Sequence, residues 1–177
     1  MDEETVTLFF ALLSAVAFCL ALSAAGVLVT GTKGAFFQAL HPAAVLLAAA
    51  IGLTATVGSL YLSEVLRYRP CTLCWVQRFF MYSAAFVLVV AVVRRERLWS
   101  VVAGLLALLG LPVALFHRYE QYVGANSALC DADNPCSARW VNEFGFVTVP
   151  TMAAVAFAAM FLLLCLGTVT AHGKVGT

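Results

Sequence analysis

Charge is what this sequence lacks. Only 11% of its 177 residues are Asp, Glu, Lys or Arg, against roughly a quarter in a soluble domain. The formal net charge is +1, and there is no basic motif of the kind that grips phosphates, so no nucleic-acid partner is expected. No stretch is polar enough to form a soluble domain, and internal repeats and low-complexity tracts are absent. No basic residue precedes the first apolar run, Val6 to Thr30. That run is also too long for a signal-peptide core, so it reads as a retained helix. What is present is apolar: 63% hydrophobic residues and a mean hydropathy of +0.98. The composition defines an all-α integral membrane protein whose whole length is used by its helices.

Hydropathy divides the chain into five spans: Val6–Thr30, Ala43–Leu66, Trp75–Val93, Leu98–His117 and Val147–Val169. Gly31–Pro42 reads as a loop, Gly110 and Pro112 as a kink in the fourth span, and Gly124–Phe146 as a polar loop. The tightest basic cluster, Arg94, Arg95 and Arg97, is expected on the cytoplasmic side. Parity then puts the N-terminus, the start of the third span and the polar loop outside.

Six cysteines need an account. Cys71 and Cys74 form a CxxC in Arg69-Pro70-Cys71-Thr72-Leu73-Cys74-Trp75-Val76-Gln77-Arg78. Pro70 suits the first turn of a helix, which predicts both cysteines in that turn, where the helix dipole favours a thiolate. Arg78 follows Cys74 by four residues, about 6 Å along the axis at ~1.5 Å per residue, on the same face. A structural disulfide beside a snorkelling arginine is the plainer reading of the same residues.

The second pair, Cys130 and Cys136, flanks turn-forming Asp, Asn and Pro residues and can close into a disulfide. After it, Trp140, Val141 and Phe144 would share one face of a short amphipathic helix lying in the membrane interface. Cys19 and Cys165 sit within spans and read as small packing residues. His117 and Arg118, near the outer end of the fourth span, could bind a polar head group or snorkel to water. Two outward-facing pairs suggest a relay, in which a disulfide of one pair oxidises the other through a mixed disulfide.

The CxxC with its following Trp75-Val76-Gln77-Arg78, the later Cys130 and Cys136, and Asn142-Glu143-Phe144-Gly145-Phe146-Val147-Thr148-Val149-Pro150 resemble the DsbB/BdbC disulfide-bond formation proteins. The resemblance covers about residues 43–169. It implies a four-helix transmembrane bundle, here with one extra N-terminal transmembrane helix. Residues 1–42 would then be that helix and a cytoplasmic loop, 124–146 the outer catalytic loop, and 170–177 a short cytoplasmic tail. It further implies a bacterial plasma membrane location, with both pairs facing the extracytoplasmic side. The expected partner is a DsbA-like thioredoxin-fold protein, and the expected cofactor is a membrane quinone, either ubiquinone or menaquinone. Carried over by residue, Cys130 would meet the partner's thiolate and Cys136 would pass electrons to Cys71. Cys74 would face the quinone, with Arg78 supporting it. His117 and Arg118 are further candidates there. No metal is expected. The short Cys130–Cys136 spacing is nearer the BdbC-like members, and the resemblance gives the helix Val6–Thr30 no role.

Three other readings use the same residues. A vitamin K epoxide reductase-like oxidoreductase also relays electrons to quinone, but there the loop pair precedes the CxxC. Cys71, Cys74, Cys130 and Cys136 could form a four-thiolate zinc site. Two stapling disulfides in a non-enzymatic membrane scaffold would need no partner at all.

Overall fold

The computed structural model describes residues 3–31, 35–124, 129–131 and 133–169. Lys33, the tail from residue 170 onward and part of the Gly124–Phe146 loop lie outside them. The described chain is helical: α1 (Glu3–Thr30), α2 (Ala35–Glu64), α3 (Thr72–Arg94), α4 (Arg97–Val123) and α5 (Val149–Val169). Each contains a segment long and apolar enough to cross a membrane.

The packing follows a ring. α2 lies against α3, α3 against α4, α4 against α5, and α5 back against α2, which closes a four-helix bundle. α1 stands outside the ring. It packs along α5 and meets α2 at few points. Small residues line the seams: Ala44, Ala48, Ala103, Ala107, Ala114 and Ala159 are fully buried. In lipid, small residues let helices approach closely and gain dispersion contacts that no hydrophobic effect would supply. Phe157, Met160 and Leu163 of α5 fill the centre.

Two expectations are corrected. Gly31–Pro42 is not a loop throughout, because α2 begins at Ala35 and carries Pro42 inside it. A membrane helix tolerates proline where neighbouring groups re-satisfy its backbone. Gly110 and Pro112 both lie inside the single helix α4. Gly110 serves as a notch for a ring, since a Cβ there would come within 2.4 Å of Phe157 Cζ. Residues 139–146 form no amphipathic helix. Val141 is buried while Trp140 and Phe144 are exposed. Glu143 and Val147 instead exchange backbone hydrogen bonds of 3.0 and 2.9 Å across a tight turn. Phe144 and Gly145 both take positive φ there, 52° and 76°, a conformation that favours glycine and cannot continue a right-handed helix.

Candidate thiol–disulfide site

Cys71 is the N-cap of α3 rather than a member of its first turn. Its backbone is extended (φ −76°, ψ 175°), and its sulfur accepts a hydrogen bond from the Cys74 backbone N–H at 3.4 Å. It thus takes the part that Ser or Asp usually plays at a helix start. Pro70 lies just outside the helix. Cap geometry turns the two side chains towards each other, and their sulfurs are 3.0 Å apart as thiols.

α4 brings the third component. His117 is buried, at 2% exposure. Its Nε2 lies 3.6 Å from Cys71 Sγ and 3.1 Å from the Cys136 backbone oxygen. A carbonyl oxygen can only accept, so Nε2 carries the proton. Nδ1 is then the acceptor for the Gln77 amide, 2.7 Å away. One ring proton therefore faces both the CxxC and the loop pair.

Cys130 and Cys136 are joined in a disulfide. Cys136 is buried and Cys130 partly open. Cys71, Leu73 and Cys136 form one buried cluster, with Cys74, Cys130 and Val113 packed against it. The loop is fastened to the bundle at several points. Asn134 Nδ2 donates to the Pro70 carbonyl at 2.9 Å, Gln121 Nε2 to the Ala138 carbonyl at 3.0 Å, and Arg139 Nη2 to the Gln121 carbonyl. Glu120 Oε2 sits 3.8 Å from Cys130 Sγ.

Electrostatics singles out Cys71. Its thiol is held well below the usual range. The largest cause is the hydrogen bond from the Cys74 side chain, followed by His117 and by the Cys74 backbone N–H. Burial acts in the opposite direction and is outweighed.

Beside the thiols opens a cavity of about 320 Å³, within the range of small-molecule sites. Cys71, Cys74, Gln77, Arg78 and His117 line its polar end. Arg78 is docked on α2, where Nε donates to Ser59 Oγ at 3.0 Å and Nη2 to the Ser59 carbonyl at 2.8 Å. Its guanidinium also lies 5.2 Å from the centre of the Trp75 ring. Arg118 does not line this cavity. It turns aside, with Nη1 buried and without a hydrogen-bond partner among the described residues. Cys19 is exposed on α1 and Cys165 half-buried on α5, neither in the cysteine cluster.

Ser59, Glu120, Gln121 and Asn134 are absent from the sequence-derived site. For two of them a signal existed. His117, Glu120 and Gln121 recur at i, i+3 and i+4 and are all buried, while Tyr119 and Tyr122 beside them are exposed. That spacing marks one inward face of a helix, and ionisable groups buried in a span are rarely idle. The donors of Cys71, Cys74 and His117 also lie within 4.8 Å of one another, a set that could hold a metal. The expected four-thiolate alternative is not formed, because Cys130 and Cys136 are spent on each other.

Two cysteine pairs are gathered at one end of a bundle of membrane-spanning helices, one closed and one open beside a buried histidine, an arrangement suited to thiol–disulfide exchange. The relatives point the same way. Residues 41–167 match the sequence model of the family described as disulfide bond formation protein DsbB, and the chain belongs to that family. It is 35% identical over 118 residues to the disulfide bond formation protein C of Bacillus subtilis, covering 66% of this chain and 86% of that one. It is 41% identical over 105 residues to the probable disulfide formation protein C 1 of Bacillus anthracis, covering 58% of this chain and 76% of that one. No solved structure matches. α1 lies outside the matched residues.

Proposed function

We propose that this protein reoxidises a DsbA-like, thioredoxin-fold protein outside the cytoplasm and delivers the electrons to a membrane quinone. The observation that carries the reading is the burial of Cys71 and Cys136 in one cluster, with the His117 Nε2–H facing both. Both pairs share one end of the bundle, and the basic turn Arg94–Arg97 lies at the other. With that turn cytoplasmic, the pairs face the extracytoplasmic side of the plasma membrane.

The partner's thiolate attacks Cys130, the more open sulfur, and Cys136 departs as thiolate. The partner's second thiol then closes its own disulfide and releases Cys130. Cys136 attacks Cys71 of the Cys71–Cys74 disulfide, Cys74 departs, and attack by Cys130 on Cys136 restores the loop disulfide. Cys71 and Cys74 now hold the partner's two electrons. A stabilised Cys71 thiolate is a good leaving group in that last exchange.

The cavity fits a quinone by its chemistry, with a cation and amide at the thiol end and a mostly apolar lining elsewhere. A bound quinone, ubiquinone or menaquinone, would supply a two-electron, two-proton acceptor that lets Cys71 and Cys74 return to the disulfide. Arg78, fixed by Ser59, would bring positive charge to the carbonyl end, and His117 would hold the Cys71 proton balance. Arg118, turned away from the cavity, would act there only indirectly.

The test is quinone reduction by purified protein given a reduced thioredoxin-fold partner, for wild type and for Ser at each of Cys71, Cys74, Cys130 and Cys136. Turnover in wild type and loss in all four variants are expected. Stoichiometric zinc on the unoxidised protein with no quinone reduction would instead favour the Cys71–Cys74–His117 metal site. No turnover and no metal would favour a stapled scaffold.

A further inference from the structure

The helix that the family match leaves out closes the cavity. α1 leans on α5 and meets α2 at few points, so a gap runs between α1 and α2 with α5 as its floor. The cavity occupies that gap. α1 and α2 run in opposite directions, which pairs Phe10 with the Ser59 level and Leu20 with the Leu47 level. From Ser59 to Leu47 the α2 wall spans about 18 Å at ~1.5 Å per residue. The lining changes along this length. Cys74, Arg78 and His117 stand at one end, and Leu13, Leu20 and Ile51 are among the residues lining the rest. At the Ser59 level Phe10 packs against Gly58, where a Cβ would lie 2.8 Å from its ring.

α1 is also anchored at the thiol end. Tyr68, in the connection between α2 and α3, donates from its hydroxyl to Glu3, and Thr7 Oγ1 donates to Glu143 Oε1 at 2.7 Å. Tyr68 in turn stacks on Trp140, with ring centres 5.5 Å apart. The helix is therefore held in register with the loop that carries the second cysteine pair.

We infer that α1 is the binding wall for the isoprenoid tail of the quinone, holding the tail between α1 and α2 while the ring lies at Cys74 and Arg78. This rests on the quinone reading of the site. The occupant follows from the cavity's own gradient: polar and redox-active at the membrane face, apolar and elongated towards the membrane centre, and continuous between the two. A phospholipid acyl chain matches the apolar part but brings nothing for the thiol end to react with.

The test measures binding to the full-length protein in detergent, by quenching of tryptophan fluorescence, for menadione and for a naphthoquinone with the same ring and a prenyl tail. A benzoquinone pair is run in parallel. Wild type is expected to bind the tailed form at least about tenfold more tightly. Leu13→Trp fills the tail region and is expected to reduce that preference about tenfold, the scale of a pocket mismatch. Ser14→Leu fills it more gently and keeps the test open if Leu13→Trp fails to fold. Leu12→Trp, on the lipid-facing side of α1, should keep the wild-type preference. A quinone with a photoreactive tail end should label α1. A tail preference that survives both filling variants, with label elsewhere, would overturn the α1 assignment while leaving the quinone reading intact. No binding of either form would sink both. A retained phospholipid with no tail preference would assign the gap to bilayer lipid and overturn the proposal.

Discussion

His117 Nε2 lies 3.6 Å from Cys71 Sγ, so a buried imidazole of α4 faces the sulfur that caps α3. This contact joins a histidine and a cysteine 46 residues apart in the chain.

Replacing that histidine should be felt first in the Cys71 thiolate. Cys71 is held below the usual thiol range, so in the reduced protein it stays ionised, and reactive to iodoacetamide, well below about pH 8.5. His117→Ala should move the alkylation profile to higher pH by about one unit and slow labelling several-fold at pH near the wild-type value of about 4, since each 1.36 kcal/mol of lost thiolate stabilisation is one pKa unit. The sign for stability follows. A depressed folded pKa contributes stability fully above the unfolded value, and that contribution is lost as pH falls through the folded value. Reduced wild type should therefore lose its thermal advantage over His117→Ala on acidification. Profiles that coincide would remove His117 from the site.

Cys130 should be the partner's point of attack. It is more open than Cys136. A thioredoxin-fold partner lacking its resolving cysteine should be trapped as a mixed disulfide on Cys130, identified by peptide mass. Glu120→Gln should speed trapping by a few-fold, because it removes an acidic oxygen 3.8 Å from that sulfur that repels an incoming thiolate. Trapping on Cys71 with Cys130 untouched would reverse the proposed flow.

Arg78 should matter to electron exit and little to electron entry. Arg78→Met is expected to lower quinone reduction about a hundredfold, in line with loss of a charge-stabilising donor. Arg78→Lys should be intermediate, because it keeps the charge and loses the planar fork. Ser59→Ala, which removes one acceptor for that fork, should give a smaller loss. Partner trapping at Cys130 should be unchanged in all three. Equal quinone turnover in Arg78→Met and wild type would move the ring site away from Arg78.

Gly110→Ala tests the packing of α4 on α5. The added methyl would meet the Phe157 ring at 2.4 Å, and overpacking of this kind costs about 1–3 kcal/mol. Thermal denaturation in detergent should show the loss, and Phe157→Leu in the same chain should recover part of it. If Gly110 acted only by bending α4, the second change would rescue nothing.

The five spans were legible because hydrocarbon selects long apolar runs whatever their neighbours do. The CxxC at the head of the third helix was legible because the polar-to-apolar border after Pro70 marks a helix start. The arrangement of side chains around it was not. Ser59 is one hydroxyl in an apolar helix, and only the fold brings it to Arg78. Glu120 and Gln121 lie past His117 between two tyrosines, a pattern that suits a helix leaving the membrane; their burial depends on the returning loop. Trp140, Val141 and Phe144 carried a helical pattern, but positive φ at Phe144 and Gly145 overrode it. The register of α1 against the loop rests on the Tyr68–Glu3 and Thr7–Glu143 contacts, whose partners are too far apart in the chain to be paired by inspection.

The bond from Asn134 to the Pro70 carbonyl has a consequence for which proteins can be oxidised. A disulfide closing only six positions of chain, and bolted to the rim of the bundle, behaves as a keyhole rather than an arm. In the proposed relay it would be held short of a thiol in a cleft. A client of the proposed relay would have to bring a protruding cysteine down to the membrane surface, as a key is brought to a lock. Thiols of ordinary exported proteins, folded or half folded, would thus be screened out by shape before any specific contact is made. Selectivity for one carrier would come from the shortness and anchoring of the loop, and lengthening it should make the enzyme less discriminating.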